Sequence, residues 1–537
     1  MPNPASVATK TICTLSPTTA TRDIVDRLIR AGMSAVRLNS AHGSHDAFDR
    51  VIRTVREVAL DRGVICPIIL DTKGPEIRCG PVLFDEGVDI KSGSTVNVVT
   101  GAGLAAAEAM TTSQRVVINY TKLGLSVTEG DVVLLDNGRI ALSIVKITSP
   151  SSVMCKVISG GILKANKGVN LPGCSVDLPH VTDKDRRDIE FAVSRQVEYI
   201  AHSFTRSREG IEQVRALPGV KESGMHIIAK IENQEGLDNF AEILDASDGI
   251  MVARGDLGVE IPLERVCSMQ KRMIRDCNVR GKFVITATEM LDSMISNPRP
   301  TRAEASDVAN AVFDGTDCVM LSGETAVGKF PVESVQVMAR ICKEAELDVA
   351  EHGFISAGEM PYLLQEVFHV EKSYREEAKN HKQRVGSLRP SILSAAEEHR
   401  EAFAKAAVTT AQAIGASMIV VFCKSPENAR FVAKHRPSSP VLALSTSPKV
   451  CAQISLYRGV RALLVPSLER ESLSFAVAAA AKTHLVKKGS RVLVLNFGMD
   501  DLNINTIETL VVEAKHLSEK EEVKALEYTP GSSLSGP

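Results

Sequence analysis

The chain of 537 residues is longer than one hydrophobic core comfortably supports, so two to four domains are expected. Its apolar (44%) and charged (24%) fractions are those of an ordinary globular protein, and a formal charge of −2 argues against nucleic acid or anionic membrane as main partner. Eleven scattered cysteines with no C-x-x-C pair exclude a zinc or disulfide framework, and the lack of any apolar run of eighteen residues or apolar leader makes the cytoplasm the expected location.

From Thr11 to Leu347 a strand-then-helix alternation repeats, with one interruption. Strands are predicted at Ile12–Leu15, Ala35–Leu38, Pro67–Leu70, Tyr199–His202, His226–Ala229, Gly249–Ala253, Phe283–Ala287 and Asp317–Leu321. Helical patterns follow most of them, at Thr21–Ala31, His45–Leu60, Leu263–Asn278, Arg302–Phe313 and Val332–Glu346. Eight strands with eight crossovers is the count of a (β/α)8 TIM barrel, an α/β fold whose chemistry gathers past the strands' carboxyl ends. Polar residues sit there: Arg37 and Asn39 after the second strand, Asp71-Thr72-Lys73 after the third, Ser203 after the fourth. Lys230 and Glu232 follow the fifth, Asp256 the sixth, Thr288 the seventh, and Ser322 and Glu324 the eighth.

The interruption, from about Gly74 to Pro179, is rich in Val, Gly, Ser and Thr and alternates at Arg115–Asn119, Asp131–Leu135 and Val153–Ile158. Asp136-Asn137-Gly138 reads as a tight hairpin turn. A β-rich insert at this end of a barrel is a candidate lid, with an inert insertion as the alternative. Residues from about Met360 to Glu401 are charged and read as a linker or excursion. A second, doubly wound α/β domain follows, with a helix at Ala402–Ile414 and strands at Met418–Cys423, Val441–Leu444, Ala462–Val465 and Val492–Asn496. The expected division is therefore barrel (1–74 and 179–350), inserted β-barrel lid (75–178), linker (351–401) and carboxyl-terminal α/β domain (402–537), with Leu517–Pro537 frayed.

The densest chemistry lies between His226 and Pro262, where two apolar runs each end in charge. Glu232 and Asp256 stand one β-α-β step apart and could converge on a hard cation. Mg²⁺ suits such a pair, because it accepts one or two carboxylates and lets a phosphorylated substrate complete its octahedron. Lys230 then faces the phosphate as a point charge. A surface salt-bridge pair is the plainer alternative.

Long strings in order, RLNSAHG at 37–43, DTKGPEIR at 71–78, KGVNLPG at 167–173, KIEN at 230–233, IMVARGDLGVEIP at 250–262, NPRPTRAE at 297–304, SDVANAV at 306–312 and LSGETA at 321–326, carry a resemblance. From near its start to about Glu513 the chain resembles the pyruvate kinases. The resemblance implies a barrel, a β lid inserted after its third strand and a carboxyl-terminal α/β domain. It also implies phosphoryl transfer from phosphoenolpyruvate to ADP, giving pyruvate and ATP, with Mg²⁺ or Mn²⁺ and K⁺ as cofactors, in a homotetramer.

By that resemblance Lys230, Arg37, Thr288 and Ser322 are the catalytic residues, the last two relaying a proton to the enolate through water. Gly255, Asp256, Thr288 and Ser203 join Arg37 and Lys230 in binding substrate. Pro17, Asn39, His42, Arg78 and Lys167 bind nucleotide. Glu232 and Asp256 hold the divalent ion, while Asn39, Asp71 and the Thr72 carbonyl hold K⁺. The family's fourth K⁺ ligand is normally a serine where this chain has Ala41, yet Glu76 is the residue usual in potassium-requiring members. Asn137 and Glu289 replace the usual Asp and Gln. The family's sugar-phosphate loop reads Cys423-Lys424-Ser425-Pro426-Glu427-Asn428 and the last loop, Phe497-Gly498-Met499-Asp500-Asp501, is acidic, so strong activation by fructose bisphosphate is not expected. A pyruvate-forming Mg²⁺ aldolase would need neither Lys230, the lid, nor the Arg37/Arg78 pair. A pseudoenzyme would be expected to lose Lys230, Glu232, Asp256 or Thr288, and all four are present.

Overall fold

The computed structural model describes residues 7–82, 85–105, 109–352, 395–498, 505–513 and 516. Most of the linker expected over 351–401, the loop residues Met499–Asp501 and the Leu517–Pro537 tail lie outside the described residues. Eight strands close a barrel in which each neighbours the next in sequence and the eighth returns to the first. Tyr199–His202, Gly249–Ala253 and Phe283–Ala287 form as predicted, because a strand buried on both faces is a continuous apolar run bounded by polar residues. The fifth strand instead runs His226–Ile231, with Lys230 inside it. Closure is parallel, with Lys10 opposite Cys318 and Cys13 opposite Leu321.

The flanking helices begin where local chemistry starts them. Ser44 accepts from Ala47 N at 3.3 Å and opens His45–Asp61, whose Phe48, Val51, Ile52 and Val55 form the buried stripe. Within the NPRPTRAE string, Thr301 and Glu304 make a capping box for Arg302–Phe313, and Glu304 also binds the Ser293 amide and hydroxyl. Within KIEN, Asn233 accepts from Gly236 N at 2.8 Å and starts the short helix Gln234–Asp238.

The chain divides into two compact units, one of Met1–Leu70, Arg195–Tyr199 and Ile274–Pro537, the other of Asp71–Ser194 and Ile200–Met273. The second unit contains the β-rich insert. Its seven-stranded sheet ends on Ile77–Arg78 at one side and Arg115–Ile118 at the other. A Cys79–Ile118 bridge and an Asn119 N to Arg78 O hydrogen bond of 3.1 Å bring those edges together around Ile90, Val96, Leu123 and Leu142. The hairpin Asp136-Asn137-Gly138 forms as expected, with φ of 51°, 56° and 80° and Arg139 N donating to Asp136 O.

In the first unit, the carboxyl-terminal sheet holds Val460–Leu464, Val441–Ser445, Met418–Phe422 and Arg491–Phe497 in parallel, in that order. An antiparallel edge strand, Asn505–Val511, is added that the sequence reading did not separate. This sheet is tied to the amino-terminal ends of barrel strands. Arg436 grips Asp317 at 2.8 and 3.2 Å, Tyr199 Oη donates to Gln453 O at 2.7 Å, and Lys10 Nζ donates to Val460 O at 2.5 Å. No helix among the described residues is long and apolar enough to cross a membrane.

Candidate active site

Lys230 and Glu232 are two residues apart at the end of one strand, so their side chains leave the same face. Lys230 Nζ lies 3.0 Å from Asp71 Oδ1 and 2.9 Å from Glu232 Oε1, and donates to Ser203 Oγ at 2.6 Å. Ser203 Oγ in turn reaches the Thr72 carbonyl at 2.6 Å and Asp71 Oδ1 at 3.1 Å. Thr72 is fixed from behind, its N–H donating to Ala201 O at 2.9 Å and its hydroxyl accepting from Ser203 N. Asp71 and Glu232 are 0% and 1% exposed. Buried carboxylates without compensation are expensive, and one ammonium between two of them leaves a net negative site.

Glu232 bears the imbalance. Its Oε2 accepts from Phe204 N at 2.5 Å, but its Oε1, though close to Lys230, is buried with no hydrogen-bond partner. Burial pushes its carboxyl up to about 7 against the pull of Lys230, and the charges of Asp256 and Asp71 push the same way. Asp256 is exposed, in the first turn of a seven-residue helix, Arg254–Glu260. Gly255 and Gly258 both lie within this helix. Glu260 in the same helix accepts from Asn170 Nδ2 at 2.7 Å, and burial raises its carboxyl. No group of three or more His, Cys, Asp or Glu side chains among the described residues could enclose a metal. A pair of carboxylates fits an ion that takes its other ligands from substrate and water, and Glu232 Oε1, ion-paired with Lys230 but without a hydrogen bond, is a donor suited to it.

On the insert, Arg78 is occupied. It forks onto Glu76 at 2.7 to 2.9 Å and donates to Asn166 O at 2.8 Å, while Lys73 stands 3.6 Å from Glu76. Lys167 Nζ pairs with Asp136 Oδ1 at 2.7 Å beside the hairpin. Arg78 and Lys167 thus make no hydrogen bond or ion pair with the Lys230 cluster, and each is held by a carboxylate that an incoming phosphate would compete with.

The other unit carries the remaining predicted residues. Arg37 is 8% exposed and donates to Thr14 Oγ1 at 3.2 Å. Asn39 Oδ1 accepts from Ala41 N at 3.1 Å in a tight turn, and His42 and Pro17 are exposed. Thr288 and Glu289 follow the seventh strand at φ of 68° and 54°, a left-handed pair that is costly for a β-branched residue and of the kind found at ligand sites. The Thr288 hydroxyl donates to Ala287 O at 2.6 Å. Ser322 Oγ is buried without a partner. Glu324, expected among the polar strand-end groups, is turned to the backbone, accepting from Leu291 N at 3.0 Å and Ser322 N at 2.7 Å while burial raises its carboxyl.

The family model described as pyruvate kinase, barrel domain, matches residues 6–335, and that described as pyruvate kinase, alpha/beta domain, matches 401–512. The chain belongs to the pyruvate kinase family. It is 41% identical to the pyruvate kinase of Eimeria tenella over 511 residues, 94% of this chain and 89% of that one. With the pyruvate kinase of Dictyostelium discoideum the identity is 41% over 517 residues, covering 95% and 96%. A crystal structure of a pyruvate kinase from Cryptosporidium parvum superposes with a TM-score of 0.82 at 35% identity, covering 94% and 96%. Membership of the pyruvate kinases carries the activity: transfer of a phosphoryl group from phosphoenolpyruvate to ADP, giving pyruvate and ATP, at the end of glycolysis.

Some partners in a pyruvate kinase barrel leave no mark in sequence. The Phe204 N–H that holds Glu232 is a backbone group, and Arg206, 4% exposed and bonded to the Val176 and Leu178 carbonyls, reads in sequence as an ordinary solvated arginine. His202 ends an apolar run as a strand residue should. Its full burial, with neither ring nitrogen hydrogen-bonded, emerges only from the packing.

Proposed function

We propose that Lys230, Glu232 and Asp256 carry the phosphoryl transfer, with Asp71, Ser203 and Thr72 holding the lysine in place. The observation that supports this most is the Glu232 carboxylate, buried beside a clamped ammonium with one oxygen left without a hydrogen bond. Mg²⁺ or Mn²⁺ held by Glu232 and Asp256 supplies neutralisation of phosphate and enolate charge. Lys230 faces the equatorial oxygens of the transferring group and then the enolate oxygen, so its charge counts most where charge develops. An ADP β-phosphate oxygen forms the new P–O bond as the bridging P–O bond of phosphoenolpyruvate breaks. Carbon then takes a proton and pyruvate results. Arg37, Thr288 and Ser322 take their roles from the resemblance: charge toward the phosphates, a hydroxyl on the substrate carboxylate beside Gly255–Asp256, and the proton relay.

Arg78 and Lys167 are assigned to the nucleotide with Pro17, Asn39 and His42, and residues 75–178 to the lid that excludes water over it. K⁺ is assigned to Asp71 and the Thr72 carbonyl, with Asn39 contributing by resemblance. Hard carboxylate and carbonyl oxygens suit it, and the Thr72 carbonyl keeps a second lone pair beyond its bond from Ser203. A homotetramer in the cytoplasm completes the reading. The test is initial-rate pyruvate formation with Mg²⁺, in K⁺ and in a large inert cation. Activity that Lys230→Met abolishes is expected; folded, inactive wild-type protein in both salts would leave a pseudoenzyme.

A further inference from the structure

Two stretches of chain join the insert to the barrel, one at Gly74 and one at residues 176–178. Both meet a single segment, Ser203–Arg206. On one side, the Arg206 guanidinium is buried and donates to the Val176 and Leu178 carbonyls. It has no carboxylate at ion-pair distance among the described residues, so those two carbonyls are its main anchors. On the other side, Gly74 (φ 69°) lies against the segment so closely that an added Cβ would stand 2.9 Å from Phe204 Cδ2 and Ser203 Cβ. Gly74 N is itself held by Asp185 Oδ1 at 3.0 Å.

The same segment grips the catalytic groups. Ser203 Oγ receives Lys230 Nζ, Phe204 N donates to Glu232 Oε2, and Thr205 N donates to the Lys230 carbonyl at 3.3 Å. Phe204 is at φ 52°, a left-handed conformation that a phenylalanine adopts only when its surroundings impose it. Those surroundings are near on every side. Thr205 O is packed so that a Cβ on Gly236 would meet it at 2.7 Å, and Arg206 O accepts from Asn239 Nδ2 at 2.8 Å. The segment cannot slide without changing something at each end.

We infer that Arg206 is a positioning residue that couples the lid to Lys230 and Glu232: movement of the 176–178 crossing pulls on its guanidinium and shifts Ser203 and Phe204. The carboxylate and ammonium reach their working geometry only when the lid crossing is in place. The lid therefore does more than exclude water, since its position is read by the phosphoryl-transfer groups through three intervening residues. This rests on the assignment of Lys230 and Glu232 above and extends it to a residue that touches no reactant.

The test compares wild type, Arg206→Lys and Arg206→Ala in the full chain with Mg²⁺ and K⁺, by steady-state kinetics and amide hydrogen exchange. Arg206→Ala is expected to lower kcat and kcat/KM together by about tenfold or more, because a misplacement of about 1 Å costs that much. Exchange should quicken both at residues 174–182 and at Phe204, whose amide is bound to Glu232. Arg206→Lys keeps the charge and one donor, and should recover part of both. If the alanine variant does not fold, an intermediate kcat with quickened Phe204 exchange in the lysine variant carries the same conclusion. Folded Arg206 variants with unchanged kcat, or with quickened hinge exchange but a protected Phe204 amide, would overturn the coupling. The wild type is assayed alongside. Its failure to make pyruvate would sink the functional assignment instead, and the two exchange readouts would still decide the coupling.

Discussion

Glu232 is held by Phe204 through one oxygen only: the Phe204 N–H meets Oε2 at 2.5 Å, and Oε1 is left buried without a hydrogen bond. A carboxylate hydrogen-bonded at one oxygen, with only the Lys230 ammonium beside the other, keeps its orientation while offering a ligand, which is what a metal donor requires.

Replacing Glu232 by Gln should therefore separate binding from stability. Mn²⁺ affinity, followed by paramagnetic resonance, is expected to fall about tenfold or more. Thermal stability of the metal-free protein should hold or rise, since the replacement removes a charge that burial already disfavours. Unchanged Mn²⁺ affinity would remove Glu232 from the metal site.

His202 predicts an acid limb. Burial first, then the charges of His180, Lys230 and Arg206, push its imidazole down to about 3, whereas in the unfolded chain it titrates near 6.5. The unfolded state thus binds the proton first. Stability from this group is complete above the unfolded value and is lost as pH falls from about 6.5 toward 3, at about 1.4 kcal/mol per unit. His202→Leu should remove that slope and be more stable than the parent by roughly 2 kcal/mol at about pH 5 in urea unfolding. Parallel pH profiles of the two proteins would refute it.

Restoring a serine at Ala41 is expected to tighten potassium. One further oxygen ligand worth roughly 1 kcal/mol lowers the half-activating K⁺ concentration about fivefold. Equal K⁺ titrations of Ala41→Ser and the parent would show that the missing hydroxyl is of no consequence.

Lys167→Ala tests the lid's share in nucleotide binding. Its pair with Asp136 is partly exposed and adds under about 1 kcal/mol to stability, so melting should hardly change. Loss of a charge-assisted contact to phosphate should raise KM for ADP by about tenfold and leave KM for phosphoenolpyruvate near its starting value. Equal increases in both would place Lys167 elsewhere.

Calorimetry with fructose bisphosphate should give no tight binding. Pro426 opens the helix Pro426–Lys434 without an N–H to donate, and Glu427 puts a negative charge in the first turn where an anion would sit. Submicromolar binding would contradict that reading of the loop.

The barrel was legible because parallel strands, buried on both faces, show as apolar runs with polar ends; Phe283–Ala287 is an example with no ambiguity. Lys230 hid the end of its own strand, since a charge ends the apolar run while the backbone continues. The short helix Arg254–Glu260 has no mark in the sequence, because Gly255 and Gly258 argue against a helix that the tertiary context nonetheless imposes. Asn505–Val511 is half-exposed at a sheet edge and lacks a buried strand's signature. The charged candidates past the strand ends stand out by type and position, and the fold brings Lys230, Glu232 and Asp71 together. The Phe204 amide and the left-handed turn at Thr288–Glu289 are properties of backbone geometry, which residue identity does not encode.

The near-closure of the insert's sheet through Cys79 and Ile118 gives that domain an interior of its own. Were the insert to act as the proposed lid, it would move with this core intact, wetting little apolar surface beyond the crossings. Nucleotide binding should then proceed with only a modest heat-capacity change, unlike enzymes whose covers order themselves from a disordered loop.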